Sequence, residues 1–199
     1  MQREPNFEEV LLTDEKIVWK GRPEPSIIFT KNDGALIPIS ISGSVMPLFM
    51  LAPMLNHINS TTDTLYLTVL GIVGALFLAL SIYIIVGRFF YKYMLKLKTW
   101  YLITNKRVII IKHLLRKTVQ SQTFKDMNDY SHTVRSDAIG TILFENVNPT
   151  TRFCLNTGIE YLYSTRLRPL KAPCKVIAFY DIKNVKNVFQ LVKDLKSKA

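Results

Sequence analysis

His113 and His132 stand 19 positions apart. Each lies in a run of β-forming residues, and neither has a cysteine or carboxylate at the spacing a metal site needs. Cys154 and Cys174 are the only cysteines. Two are too few for a disulfide framework, and they read as reduced thiols packed like small hydrophobes. The patterns G-x-S-x-G, the P-loop and G-x-G-x-x-G do not occur, so the commonest nucleophile and phosphate-cradling motifs are excluded. The expectation is a chain with no catalytic residue, no metal ligand and no cofactor.

The side chains with the clearest chemistry are cations. Arg88, Lys92 and Lys96 are spaced by four and share one helical face; Lys98 follows. Phe89, Phe90, Tyr91 and Tyr93 are interleaved with them. Aromatic rings at a membrane boundary, with cations beside anionic headgroups, suit that mixture. The four cations are therefore candidate anionic-lipid contacts, with simple stop-transfer charge as the plainer alternative. Lys106 and Arg107 sit at a second basic point, a tight turn. They are weaker candidates for ligand contact, and otherwise Arg107 anchors that turn.

These residues need elements to position them. Of the 199 residues, 34 to 62 and 64 to 87 contain no Asp, Glu, Lys or Arg. A helix of ~20 apolar residues crosses the hydrocarbon core, so spans are expected at about 35–55 and 65–86. The loop between them carries no Lys or Arg, whereas four follow the second run within eleven residues. Cytoplasmic flanks carry the excess of cations. The loop is thus expected outside and both termini in the cytoplasm. Asn59-Ser60-Thr61 matches a glycosylation triplet but reads as chance so near the membrane. Gly71, Ala75 and Ala79 form a small-residue face, expected to pack on Ser40, Gly43 and Ser44 of the first span, with dimerisation through the same face as the alternative. Neither span contains an ionisable group of the kind transport or proton relay requires.

Net charge is −2 before residue 35, −1 over 35–87 and +14 over 88–199. Past Lys98 the pattern turns from helix to strand. Strands are expected at 99–104, 107–112, 118–124, 130–135, 141–145 and 175–180, the first two forming a hairpin around Asn105-Lys106. Such spacing suggests an antiparallel sandwich or barrel. A final helix is expected, N-capped by Asp181, with Ile182, Val185, Val188, Phe189, Val192 and Leu195 on its apolar face. Residues 146–174 are less regular and basic, with Ile159 to Tyr163 as a further strand candidate.

Three segments carry a family resemblance. Leu11-Leu-Thr-Asp-Glu-Lys-Ile-Val-Trp-Lys-Gly-Arg-Pro23 is similar to a leader of the form GE-x-x-x-W-x-G-x-P, with Asp14 where a Gly is common. Tyr101-Leu-Ile-Thr-Asn-Lys-Arg-Val-Ile-Ile110 looks like a Y-x-[IV]-T-[ND]-x-R hairpin, and Gly140-Thr-Ile-Leu-Phe144 like G-T-I-x-F. In this order, with a helical hairpin between the first two, they resemble bacterial pleckstrin-homology-like membrane proteins. The resemblance covers nearly the whole chain. It implies an α+β membrane protein whose transmembrane helical hairpin precedes a pleckstrin-homology-like antiparallel β-barrel or sandwich with a C-terminal capping helix. The expected division is a cytoplasmic segment 1–34, the hairpin 35–87, a basic juxtamembrane helix 88–98 and the cytoplasmic domain 99–199. Such domains are mostly binding or assembly modules, and no catalytic residues come with the family. The expected role is a membrane-anchored, non-enzymatic module at the inner face of the bacterial cytoplasmic membrane. Its partners would be the lipid bilayer and a protein or a second copy of itself. The alternative, a membrane-tethered nucleic-acid binder, is suggested by the basic tail but lacks a groove-reading element or stacking aromatics.

Overall fold

A computed structural model describes residues 6–26, 29–30, 33–56, 64–114, 116–127, 129–135, 138–148, 152, 155–158 and 176–198. The chain is α+β, with two antiparallel sheets and a C-terminal helix. The described residues fall into two compact units.

One unit holds seven described strands. These are β1 (Ile17–Gly21), β2 (Thr99–Thr104), β3 (Arg107–His113), β4 (Lys117–Thr123), β5 (Ser131–Val134), β6 (Gly140–Leu143) and β7 (Ala178–Ile182). The four-stranded sheet has the order β1-β2-β3-β4 and the three-stranded sheet β5-β6-β7. In β2 the β-branched and aromatic run Thr-Trp-Tyr-Leu-Ile-Thr favours extended backbone, and all six residues are buried. Both faces are covered. Tyr101 and Ile103 join Val108, Ile110, Ile142, Phe144, Phe179 and Ile182 in the main core. Trp100, Leu102, Ile109 and Ile111 point the other way, beneath Phe7, Val10 and Leu11 of the N-terminal segment. The period of two in a strand sends alternate side chains to these two cores. Each large apolar side chain so buried stabilises the fold by about 2 kcal/mol.

The expected hairpin around Asn105-Lys106 is present, with Thr99 opposite Lys112 and Ile103 opposite Val108. The later strands lie within a few residues of their expected places. The strand β1, which the pattern did not suggest, adds to β2 with an irregularity between Ile17 and Trp19. The C-terminal helix, here α4 (Val185–Lys196), buries Val185, Val188 and Val192 against the main core. Its N-cap is Asn184, in the left-handed region, rather than Asp181. Asp181 belongs to β7, is buried and has a φ of 50°.

The other unit contains α1 (Asp33–Asn56), α2 (Thr64–Ile82), a π-helical stretch (Tyr83–Gly87) and the start of α3 (Arg88–Leu97). The helix α1 packs against α2. On α2 the buried residues are Gly74 and Ser81, while Ala75 and Ala79 are exposed and Gly71 half-buried. The packed face is therefore offset from the small-residue face expected. Ser40 of α1 is buried, and its hydroxyl donates to the Leu36 carbonyl. The helical path from Thr64 to Leu97 is 34 residues long and is the one described helix long and apolar enough to cross a membrane. Leu65, Tyr66, Val69, Ile72, Leu76 and Ile82 along it are all more than half exposed. The loop with Asn59, both cysteines and the strand candidate Ile159 to Tyr163 lie outside the described residues.

Candidate functional site

The basic helical face is built as its spacing implies, but it points inward. Arg88 is fully buried, Lys92 is 3% exposed and Lys96 5%. In the helical unit the Arg88 Nη1 donates to Asp33 Oδ1, and Lys92 Nζ lies 3.3 Å from Asp33 Oδ2. Asp33 opens α1, where it also accepts from the Thr30 N–H at 2.6 Å and the Thr30 hydroxyl at 2.7 Å. Arg88 Nε donates to the Ile84 carbonyl at 2.7 Å, and Nη1 to the Thr157 carbonyl at 3.2 Å. Gly158, with φ of 83°, lies so close that a Cβ there would stand 2.5 Å from the Arg88 carbonyl oxygen. Only glycine accepts both the left-handed backbone and this approach.

In the β unit Lys96 Nζ pairs with Asp181 Oδ2, and Asp181 is only 5% exposed. A buried cation needs a carboxylate, because desolvation alone would cost several kcal/mol. Arg88, Lys92 and Lys96 each have one. Their charges are matched by carboxylates of the same chain. Lys98 is half-buried at the end of α3.

The hairpin turn is likewise occupied. Arg107 grips Glu15 with two hydrogen bonds, Nε to Oε1 at 2.9 Å and Nη2 to Oε2 at 3.0 Å. It also donates to the Val10 carbonyl at 2.9 Å and the Ser121 hydroxyl at 3.2 Å. The Thr104 hydroxyl donates to Glu15 Oε1 at 2.7 Å and accepts from the Arg107 N–H at 3.0 Å. Asn105 Oδ1 accepts from the Lys16 N–H at 2.9 Å, and Lys106 Nζ reaches the Thr13 carbonyl at 3.2 Å. Burial pushes the Glu15 carboxyl up, but the Arg107 guanidinium, the Leu12 N–H and the Thr104 hydroxyl together outweigh it. The carboxyl is held below its ordinary range. Arg107 thus anchors the leader segment to the hairpin, and Lys106 caps the same join.

The other motif residues are also explained by packing. Trp19 stacks on Phe179 at 6.0 Å, and a Cβ on Gly21 would stand 2.3 Å from the Trp19 ring. Tyr101 stacks on Phe179 at 4.5 Å, and its hydroxyl accepts from the Tyr180 N–H at 3.1 Å. His132 is exposed and lies 4.2 Å from the Phe189 ring, while His113 is exposed at the end of β3. Among the described residues no three His, Cys, Asp or Glu side chains gather as metal ligands.

What spacing could not supply are the partners. Asp33, Thr157, Asp181 and Glu15 lie 55, 69, 85 and 92 positions from the cations they hold. One signal was available for Asp33, a lone carboxylate immediately before the first charge-free run. Compared with protein-family models, with curated proteins and with solved structures, the chain matches none of them.

Proposed function

We propose that the protein is a membrane-anchored, non-enzymatic binding or assembly module at the inner face of a bacterial cytoplasmic membrane. In this reading α1 and α2 are two antiparallel spans, both termini are cytoplasmic, and the seven strands with α4 form a pleckstrin-homology-like domain. The observation that carries the reading is the helix Thr64–Leu97. Its apolar part is uncovered on the side away from α1, as a lipid-facing helix requires. Its charged continuation is followed, after Lys98 alone, by the first residue of β2.

The domain reading is supported by the division into four and three antiparallel strands and by one core shared by both sheets and α4. The family reading is supported by contact between two of its motif segments, through Glu15, Thr104, Asn105, Lys16 and Arg107. The module would act by holding a protein partner, a second copy or lipid at the membrane surface.

Alkaline carbonate extraction of native membranes tests the anchoring. The full chain stays in the pellet if the reading holds, and its release with peripheral proteins would overturn it. Cross-linking in the same membranes, followed by mass spectrometry, then identifies what the module holds.

A further inference from the structure

Arg88 has one side that its protein partners leave unused. A guanidinium carries five N–H donors. The Nε donates to Ile84, and Nη1 donates to Asp33 and Thr157. Nη2 is buried, and among the described residues no acceptor meets it. A charged donor left without an acceptor is among the costlier things a protein can bury, and each buried polar group of this kind calls for an explanation.

The surroundings indicate the kind of acceptor. The α1 N-terminus begins at Asp33, so the positive end of a helix 24 residues long opens at the same point. Gly34 beside it is exposed, with no atom within 4 Å of the position a Cβ would take. The Arg88 guanidinium carbon lies 4.2 Å from the centre of the Phe89 ring, and Phe89 packs at 4.8 Å on Phe29, itself 58% exposed. The neighbouring helix surface is apolar and uncovered, with Ile85, Val86 and Phe90 exposed.

We infer that the free Nη2 edge of Arg88 is a subsite for a phosphate group, supplied by an anionic lipid whose acyl chains lie along Ile85, Val86 and Phe90. The inference rests on the membrane reading above, because an inner-leaflet headgroup reaches this end of the apolar helix only if that helix spans. A phosphate oxygen accepts from Nη2 in the plane of the guanidinium and supplies the acceptor that the described residues do not. The Asp33 pair stays in place on Nη1. This contact differs from the exposed cation ladder expected from spacing, since it uses a single edge of one buried arginine.

The test uses the full chain purified in mild detergent. Mass spectrometry counts the lipid retained, and thermal unfolding is followed with added phosphatidylglycerol, with diacylglycerol, or with inorganic phosphate. Wild type is expected to retain about one anionic phospholipid per chain and to unfold several degrees higher with phosphatidylglycerol. Diacylglycerol, which has the chains without the phosphate, should have no such effect. Arg88→Lys keeps a cation for Asp33 but lacks the second donor edge, and it should retain at least tenfold less lipid. Lys186→Gln, at an exposed position of α4, should retain as much as wild type. An equal rise with inorganic phosphate supports the phosphate subsite and assigns its occupant to solution. Equal effects of diacylglycerol and phosphatidylglycerol, equal losses in both variants, or no effect of any phosphate would overturn the inference. If Arg88→Lys does not fold, the wild-type titrations decide alone. Carbonate extraction of the same preparations separates this failure from failure of the membrane reading. An extraction-resistant protein that retains no anionic lipid defeats the subsite and leaves the anchor standing.

Discussion

Glu15 and Arg107 stand 92 positions apart and meet side by side, two nitrogens of the guanidinium against two oxygens of the carboxylate. The pair joins the leader, which covers the outer face of the four-stranded sheet, to the turn between its two most buried strands. Glu15→Gln leaves Arg107 largely buried without its counter-charge, and the expected loss of stability is about 3 kcal/mol. The double variant Glu15→Gln with Arg107→Met should lose less than the sum of the two single changes. Chemical unfolding of all four proteins, read by tryptophan fluorescence, completes the cycle.

The same pair sets a pH dependence. The Glu15 carboxyl is held below its ordinary range in the folded protein. Its contribution is therefore complete above the unfolded value of about 4.3 and is lost as pH falls through the lower folded value. The stability gap between wild type and Glu15→Gln should be constant from pH 7 to about pH 5 and close on further acidification. A gap that persists unchanged to pH 3 would remove the carboxylate charge as its source.

Gly140 starts β6 where a Cβ would lie 2.1 Å from the Thr133 carbonyl oxygen and 2.7 Å from Val185 Cγ1. The first of these is backbone and cannot rotate away. Gly140→Ala must push β5 from β6 or α4 from the core, at an expected cost of about 2 kcal/mol. Gly34→Ala has open space around it, and its unfolding midpoint should equal or slightly exceed that of wild type. Thermal melts of the two variants side by side give the comparison.

The proposed topology is tested by labelling intact cells. With Cys154 and Cys174 replaced by Ser, Ser60→Cys should react with an impermeant maleimide. Thr118→Cys, on the exposed strand β4, should react only after the membrane is opened. The reverse pattern would place the β unit outside, where a disulfide between the native cysteines becomes a question of redox environment.

The strands around Asn105 were legible because β-branched and aromatic residues crowd both sides of a two-residue turn. The strand β1 was not, since Ile17 to Gly21 is short, ends in glycine and gains its place only by pairing with residues 80 or more positions away. Asp181 misled for a related reason. Asp favours N-caps and also tolerates the left-handed backbone. Residue type alone cannot say that Asn184 caps the helix while Asp181 turns inside a strand. The basic ladder is the sharpest case. A spacing of four fixes which side chains share a helical face, but what lies opposite that face is decided by Asp33 and Asp181, which only the fold brings near.

Asp181 combines two burdens that substitutions can separate. It is a buried carboxylate paired with Lys96, and it holds a positive φ. Asp181→Asn keeps a residue at ease in the left-handed region but leaves the Lys96 ammonium without its counter-charge, for an expected loss of about 3 kcal/mol. Asp181→Ala loses the same charge and adds the backbone cost of a Cβ with no local hydrogen bond, about 1 kcal/mol more. Asp181→Gly removes the charge while relaxing the backbone, so it should fall no lower than Asp181→Ala. Adding Lys96→Met to Asp181→Asn removes the uncompensated cation and should restore most of the loss. The ranking is read from urea midpoints of the full chain in one detergent. An Asp181→Asn protein as stable as wild type would show that the ion pair contributes nothing to folding. Equal midpoints for Asn, Ala and Gly, all well below wild type, would assign the whole effect to charge and none to the backbone.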